Sequence, residues 1–174
     1  MKGRGASAPL FKKMIYLAGP FFNTAQNAHI KRIELCLAKY GLTYFTPRKS
    51  AASKEAKDGG MTPGLAENIF EVNRLQIEAT KIMLAILDWK LPLGQHVQLR
   101  KAGETLVNLN LPDSGTIWEM GYAHALEVPI FGFRMDQENP LNVMLGRCCT
   151  GVISNFGELE VWAQILSKKG VPET

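Results

Sequence analysis

The run Ile82-Met83-Leu84-Ala85-Ile86-Leu87 is apolar at every position. Six residues are too few for an ordinary core helix, and a strand that is apolar throughout needs cover on both faces. This one segment therefore asks for a parallel sheet held between two helical layers. The rest of the chain supplies the parts. Met14–Ala18 is a second short apolar run, ending at Gly19-Pro20, and Leu42–Thr46 is a third, closed by Pro47. Pro129–Phe133 and Thr150–Ser154 complete five predicted strands. Between them apolar residues recur at helical spacing: Ile30, Ile33 and Leu37 within Asn23–Tyr40, and Ile69, Val72, Leu75 and Ile77 within about Leu65–Thr80. Thr116–Leu126 and Glu158–Lys168 are the remaining predicted helices, and Gly41 fits a helix C-cap. Residues 48–63 are small and polar and read as a loop with no more than one helical turn. Residues 89–112 exceed a usual strand-to-helix connection and read as a lid, an insertion or a short surface helix around Gln95–Val107.

Strands alternating with helices imply right-handed βαβ units, hence an α/β protein with a five-stranded parallel sheet covered on both faces, a flavodoxin- or Rossmann-like doubly wound fold. The 174 residues suit one domain. The net charge of +4 invites a polyanion reading, but its location defeats it. Lys2, Arg4, Lys12 and Lys13 sit in an acid-free segment over residues 1–13, read as a basic flexible leader ahead of a domain over 14–174. Without them the chain is neutral, so it offers no general field for a nucleic-acid backbone. The same leader is too polar for a signal peptide, and no apolar stretch approaches the roughly 20 residues needed to cross a bilayer. An odd cysteine count (Cys36, Cys148, Cys149) is a poor disulfide framework and points to a reducing, cytoplasmic setting. The histidines His29, His96 and His124 are scattered without metal-ligand spacing, so no metal is expected. The Cys148-Cys149 pair reads as packing.

In a doubly wound sheet, ligands bind beyond the carboxyl ends of the strands. That singles out Ala18–Asn23, the segment from Asp88 onward, and the loop 134–147. The most informative stretch is Asp113-Ser114-Gly115-Thr116-Ile117-Trp118-Glu119-Met120-Gly121-Tyr122-Ala123. Ser114 or Thr116 can cap a helix there, with Asp113 at its mouth and Glu119 one to two turns inside. Thr116-x-x-Glu119 also fits a capping box, in which Glu119 only ties back the helix start. Against that, Gly115, Gly121 and Ala123 leave room for an approaching group, and a carboxylate at a partly buried helix start can act as a nucleophile. Tyr16 shares a strand face with Met14 and Ala18; it is either a core tyrosine or a hydroxyl that orients a carboxylate. Phe21 and Phe22 can stack on a flat heterocycle or staple the next helix. Gly19-Pro20 is no phosphate loop. Arg48 and Lys49 read as an anion site or a solvated loop, and Asn142 as turn chemistry.

Four pieces in order carry a resemblance: Ile15-Tyr16-Leu17-Ala18-Gly19-Pro20-Phe21-Phe22-Asn23, Phe45-Thr46-Pro47-Arg48, the Asp113–Ala123 stretch, and Leu141-Asn142-Val143-Met144. Together they resemble the nucleoside 2-deoxyribosyltransferases across most of residues 14–168. The resemblance implies Glu119 as the nucleophile on the anomeric carbon, Tyr16 as its positioning partner, and Asp113 bonded to the base or sugar. It further implies Phe22, Gly19 and Asn73 about the substrate, and Asn142 and Met144 donated from a neighbouring subunit to hold the 5′-hydroxyl end. The chain departs from the family's pattern at Asn73, where an Asp is common. Implied partners are nucleosides, nucleobases and a second copy of the chain, with no cofactor. Hydrolysis of deoxynucleosides or their 5′-monophosphates is the alternative reaction, and a non-catalytic nucleotide-binding module is the third reading.

Overall fold

The computed structural model describes residues 14–88, 112–135 and 141–169. Five strands, β1 (Met14–Ala18), β2 (Thr43–Phe45), β3 (Ile82–Ile86), β4 (Ile130–Phe133) and β5 (Gly151–Ile153), pair in parallel in the order β2-β1-β3-β4-β5. Each lies within a residue of its expected ends. The helices are α1 (Thr24–Lys39), α2 (Ala51–Gly59), α3 (Pro63–Ala79), α4 (Ser114–Ala125), α5 (Val143–Cys148) and α6 (Phe156–Lys169).

The period of two along β1 divides the core. Ile15 and Leu17 face the α1 and α6 side with Ile30, Ile33, Leu37 and Leu159, while Tyr16 and Ala18 face the other side with Ile77, Met120 and Ala123. β3 is buried at all five positions, as an all-apolar central strand must be. Full burial of one such side chain stabilises the fold by about 1.5–3 kcal/mol. The chain reverses its direction of winding between β1 and β3, which opens a crevice at their carboxyl ends.

Two segments differ from expectation. Residues 48–63, expected as a loop, hold a 3-10 turn over Pro47–Lys49 and the nine-residue α2. Its signals are local ones that periodicity misses: Ser50 accepts the Ser53 N–H as N-cap, and Gly60 closes the helix at φ +83°. Asn142 likewise opens a helix, α5, by accepting the Met144 N–H at 2.9 Å. The expected leader over 1–13 and, save its last residue, the lid or insertion over 89–112 with its short helix fall outside the described residues. No described helix is long and apolar enough to cross a membrane.

Gly132 is fixed by close approach. A Cβ built there would lie 2.7 Å from Leu87 Cδ1 and 3.3 Å from Cys149 Sγ. Gly132→Ala is therefore expected to cost about 1–3 kcal/mol by overpacking. A thermal melt checks this, and an unchanged melting temperature would show that Leu87 yields freely.

Candidate active site

The side chains that close the crevice come from β1 and α4. Tyr16, on the α3/α4 side of β1, is completely buried and its hydroxyl donates to Glu119 Oε1 at 2.6 Å. The partners stand 103 residues apart in sequence. Phe45 packs on the tyrosine ring at 5.5 Å, so the hydroxyl is held in place by its own neighbours. Glu119 therefore does not complete a capping box. The N-cap of α4 is Asp113 rather than Ser114 or Thr116: its Oδ2 accepts the Thr116 N–H at 2.9 Å and the Thr116 hydroxyl at 3.1 Å. An Asp is as good an N-cap as Ser and places its charge at the positive end of the helix.

Glu119 is 8% exposed. Its carboxyl is pushed up to about 7: burial raises it most, the Tyr16 hydrogen bond pulls it down in part, and the nearby Asp113 charge adds to the rise. Burial also drives the Tyr16 phenol far above its ordinary value, with the Glu119 charge and hydrogen bond adding to the effect. Tyr16 thus keeps its proton and donates at every accessible pH, while Glu119 exchanges its proton near neutrality.

A cleft of about 470 Å³ opens beside Glu119, walled by Met61, Ala66, Ile69, Phe70, Asn73, Gly115 and Trp118. The Phe70 and Trp118 rings lie 5.0 Å apart, and Trp118 stacks on Tyr122 at 5.3 Å. Such a lining suits a flat heterocycle. A cleft of equal volume lies at the opposite, amino-terminal end of the strands, among Glu78, Thr80, Lys81 and Glu127. That end of a parallel sheet is not where ligands are placed, and Tyr16 and Glu119 are not part of its lining.

The structure thus brings together Tyr16, Asp113, Glu119 and Asn73 from the residues singled out in the sequence. Gly19 is not among the residues lining the cleft; a Cβ there would meet Ile86, on the α1/α6 side of the sheet, at 2.8 Å. Phe22, 68% exposed, and Asn142 and Met144, the latter 75% exposed, are not among the residues lining the cleft within this one chain. Gly121 gives no close approach, since a Cβ there would meet nothing within 4 Å, and Ala123 belongs to the core. The aromatic wall of Phe70 and Trp118 was missed in the sequence because both occupy the outward side of amphipathic helices. Arg48 and Lys49 are no open anion site: both pair with the buried Glu34, Arg48 at 2.5 Å and Lys49 at 2.7 Å. Burial pushes both Cys148 and Cys149 thiols up, Cys149 to about 12, which suppresses the reactive thiolate. Among the described residues no three His, Cys, Asp or Glu side chains gather to hold a metal ion.

A family model described as nucleoside 2-deoxyribosyltransferase matches residues 15–150. Among solved structures the fold is similar to a 2-deoxyribosyltransferase from Bacillus psychrosaccharolyticus, at 24% identity and TM-score 0.65 over 84% of this chain and 90% of that one. It is also similar to the 2-desoxiribosyltransferase of Leishmania mexicana, at 22% identity and TM-score 0.58 over 91% and 99% of the two chains. The CMP N-glycosidase of Clostridium botulinum shares the fold at 14% identity and TM-score 0.50, over 88% of this chain and 98% of that one. No protein of curated function matches the sequence.

Proposed function

This chain belongs to the nucleoside 2-deoxyribosyltransferase family, and we propose that it moves a 2-deoxyribosyl group from one nucleobase to another by double displacement. The observation that carries the reading is the buried Tyr16–Glu119 hydrogen bond at the head of an apolar cleft. Tyr16 engages Oε1, which leaves Oε2 to attack the anomeric carbon on the face opposite the base. The C–O bond forms as the C–N bond breaks, and the bonding pair leaves with the base through a transition state of oxocarbenium character. A nitrogen of the second base then displaces Glu119 from the first base's side, so two inversions give net retention. A sugar without a 2′-hydroxyl eases this path, because no electron-withdrawing oxygen sits beside the developing positive charge. Asp113, whose Oδ2 is spent on capping α4, has Oδ1 left to accept a hydrogen bond from the base or sugar; the departing base takes its proton from solvent and the incoming base gives one back.

The exposed Asn142 and Met144 fit donation to the site of a second copy. Asn142 Oδ1 is taken by its cap, so its amide N–H groups are what it offers to a 5′-hydroxyl oxygen. Asn142→Asp keeps the cap and removes that donor. It is expected to raise KM for a deoxynucleoside about tenfold with little change in melting temperature. Dilution to a demonstrable monomer should abolish exchange; full specific activity in the monomer would sink the shared-site assignment.

The reaction is tested by incubating the protein with a deoxynucleoside, with and without a second free base, and separating the products. New deoxynucleoside formed only with the acceptor is the expected outcome. Free base and deoxyribose released regardless of acceptor would make the protein a hydrolase, and binding without turnover would remove catalysis altogether.

A further inference from the structure

The turn between β1 and α1 is tied down more heavily than a helix start requires. Asn23 alone supplies the N-cap of α1, its Oδ1 accepting the Gln26 N–H at 2.9 Å. Two further side chains reach back to the turn. Gln26 Oε1 accepts the Phe22 N–H at 2.8 Å, and Asn27 Nδ2 donates to the Phe21 carbonyl at 2.7 Å and to the Asn23 carbonyl at 2.9 Å. Gln26 is the costly member. It is buried, and its Nε2 has no hydrogen-bond partner among the described residues. A buried amide donor left unmet is destabilising, and a methionine of like volume would avoid it. What the glutamine supplies and a methionine would not is the acceptor for the Phe22 backbone. The residue held in this way carries an aromatic ring in water: Phe22 is exposed and stacks on Phe21 at 5.3 Å. An exposed ring on a fixed backbone is a surface made ready for a flat partner.

Resting on the reading that this chain transfers a 2-deoxyribosyl group and that Phe22 stands over its substrate, we propose that Gln26 is a positioning residue for nucleoside binding, with Asn27 completing the clasp. The clasp orders the Phe21–Asn23 turn when the chain folds, so that ordering does not have to be met when the nucleoside arrives. The turn is then a fixed rim and not a lid that closes over the substrate. Gln26 acts through Phe22 and is assigned no contact with the reacting atoms. Loss of the clasp therefore weakens binding and leaves the bond-making step at Glu119 unaltered.

The experiment measures dissociation constants for thymidine and 2′-deoxyadenosine by calorimetry, with KM and kcat for base exchange. Wild type, Gln26→Met, Gln26→Glu, Phe22→Leu and the Phe22→Leu/Gln26→Met double variant are compared. Gln26→Met conserves volume and removes the acceptor. It is expected to raise Kd and KM about tenfold, with kcat within about twofold of wild type. Gln26→Glu keeps an acceptor for the Phe22 N–H and should recover most of that loss. Phe22→Leu should also weaken binding about tenfold. Adding Gln26→Met to it should cost no more than about a further twofold, because the residue through which Gln26 acts is already gone. A glutamine that merely braced the helix would act equally in both backgrounds, and the two effects would multiply to about a hundredfold. That result overturns the proposal. Unchanged binding in either single variant, or a fall in kcat with KM unmoved in Gln26→Met, overturns it as well. The two readings separate cleanly. Nucleoside bound with the non-additive pattern but never exchanged removes the transferase and leaves the clasp, whereas exchange with multiplied effects does the reverse.

Discussion

Glu119→Gln is expected to lower base exchange by at least about a thousandfold, the scale on which loss of a covalent nucleophile is felt, while making the protein more stable at alkaline pH. Gln keeps the oxygen that accepts from Tyr16 but cannot form the glycosyl ester. The stability change follows from the carboxyl at about 7 in the folded chain against the ordinary value of 4.5. Below pH 4.5 the folded and unfolded chains both hold this proton, and Glu119 contributes no pH dependence. Between pH 4.5 and 7 the unfolded chain releases it first, so stability falls as pH rises; above 7 the loss is complete. It amounts to about 3 kcal/mol. The melting temperature of Glu119→Gln should therefore exceed that of wild type by several degrees at pH 8, and the gap should close towards pH 4.5. Retained exchange would remove Glu119 from the mechanism. A gap that ignores pH would show that the carboxyl is not held in its neutral form by burial.

Tyr16→Phe should act through Glu119 rather than through the fold. The phenol donates at 2.6 Å and lowers the Glu119 carboxyl against burial and the Asp113 charge. Without it the carboxyl rises above 7, and the acid limb of kcat/KM moves to higher pH, since the nucleophile is the ionised form. At pH 7 the loss should be about 10- to 100-fold, the scale of one buried charge-assisted hydrogen bond. Part of it should return by pH 9, and the remainder measures lost orientation. A purely structural tyrosine predicts a lower rate at every pH with the limb unmoved. The two outcomes are distinguished by the profile alone.

Much of this was legible in the sequence where the signal is periodic. β3 is apolar at every position because both of its faces are covered, and β1 alternates in a way that sends Tyr16 to the α3/α4 side. The shorter helices were not legible by the same means. α5 has six residues and α2 nine, too few turns for an apolar stripe to stand out, and their real marks are the caps Asn142 and Ser50. Long-range partners were not legible from spacing. Local spacing makes Glu119 look like a capping box, and its pairing with Tyr16, 103 residues away, was implied by the family resemblance alone. Glu34 shows the same limit. A charged residue of α1, it is nonetheless buried, because Arg48 and Lys49 arrive from beyond β2 to neutralise it.

The two outermost strands, β2 and β5, have three residues each. An edge that short presents few unpaired backbone groups, so it is a poor template for a strand from another molecule. The sheet is consequently a closed unit with respect to intermolecular β-pairing, and it resists edge-to-edge aggregation without needing a protective charge or proline. If copies of the chain associate as proposed, with Asn142 and Met144 at the start of α5 reaching a second copy's cleft, they meet on the α4/α5 side of the sheet rather than along its edges. Assembly and catalysis would then share one surface and evolve under a common constraint.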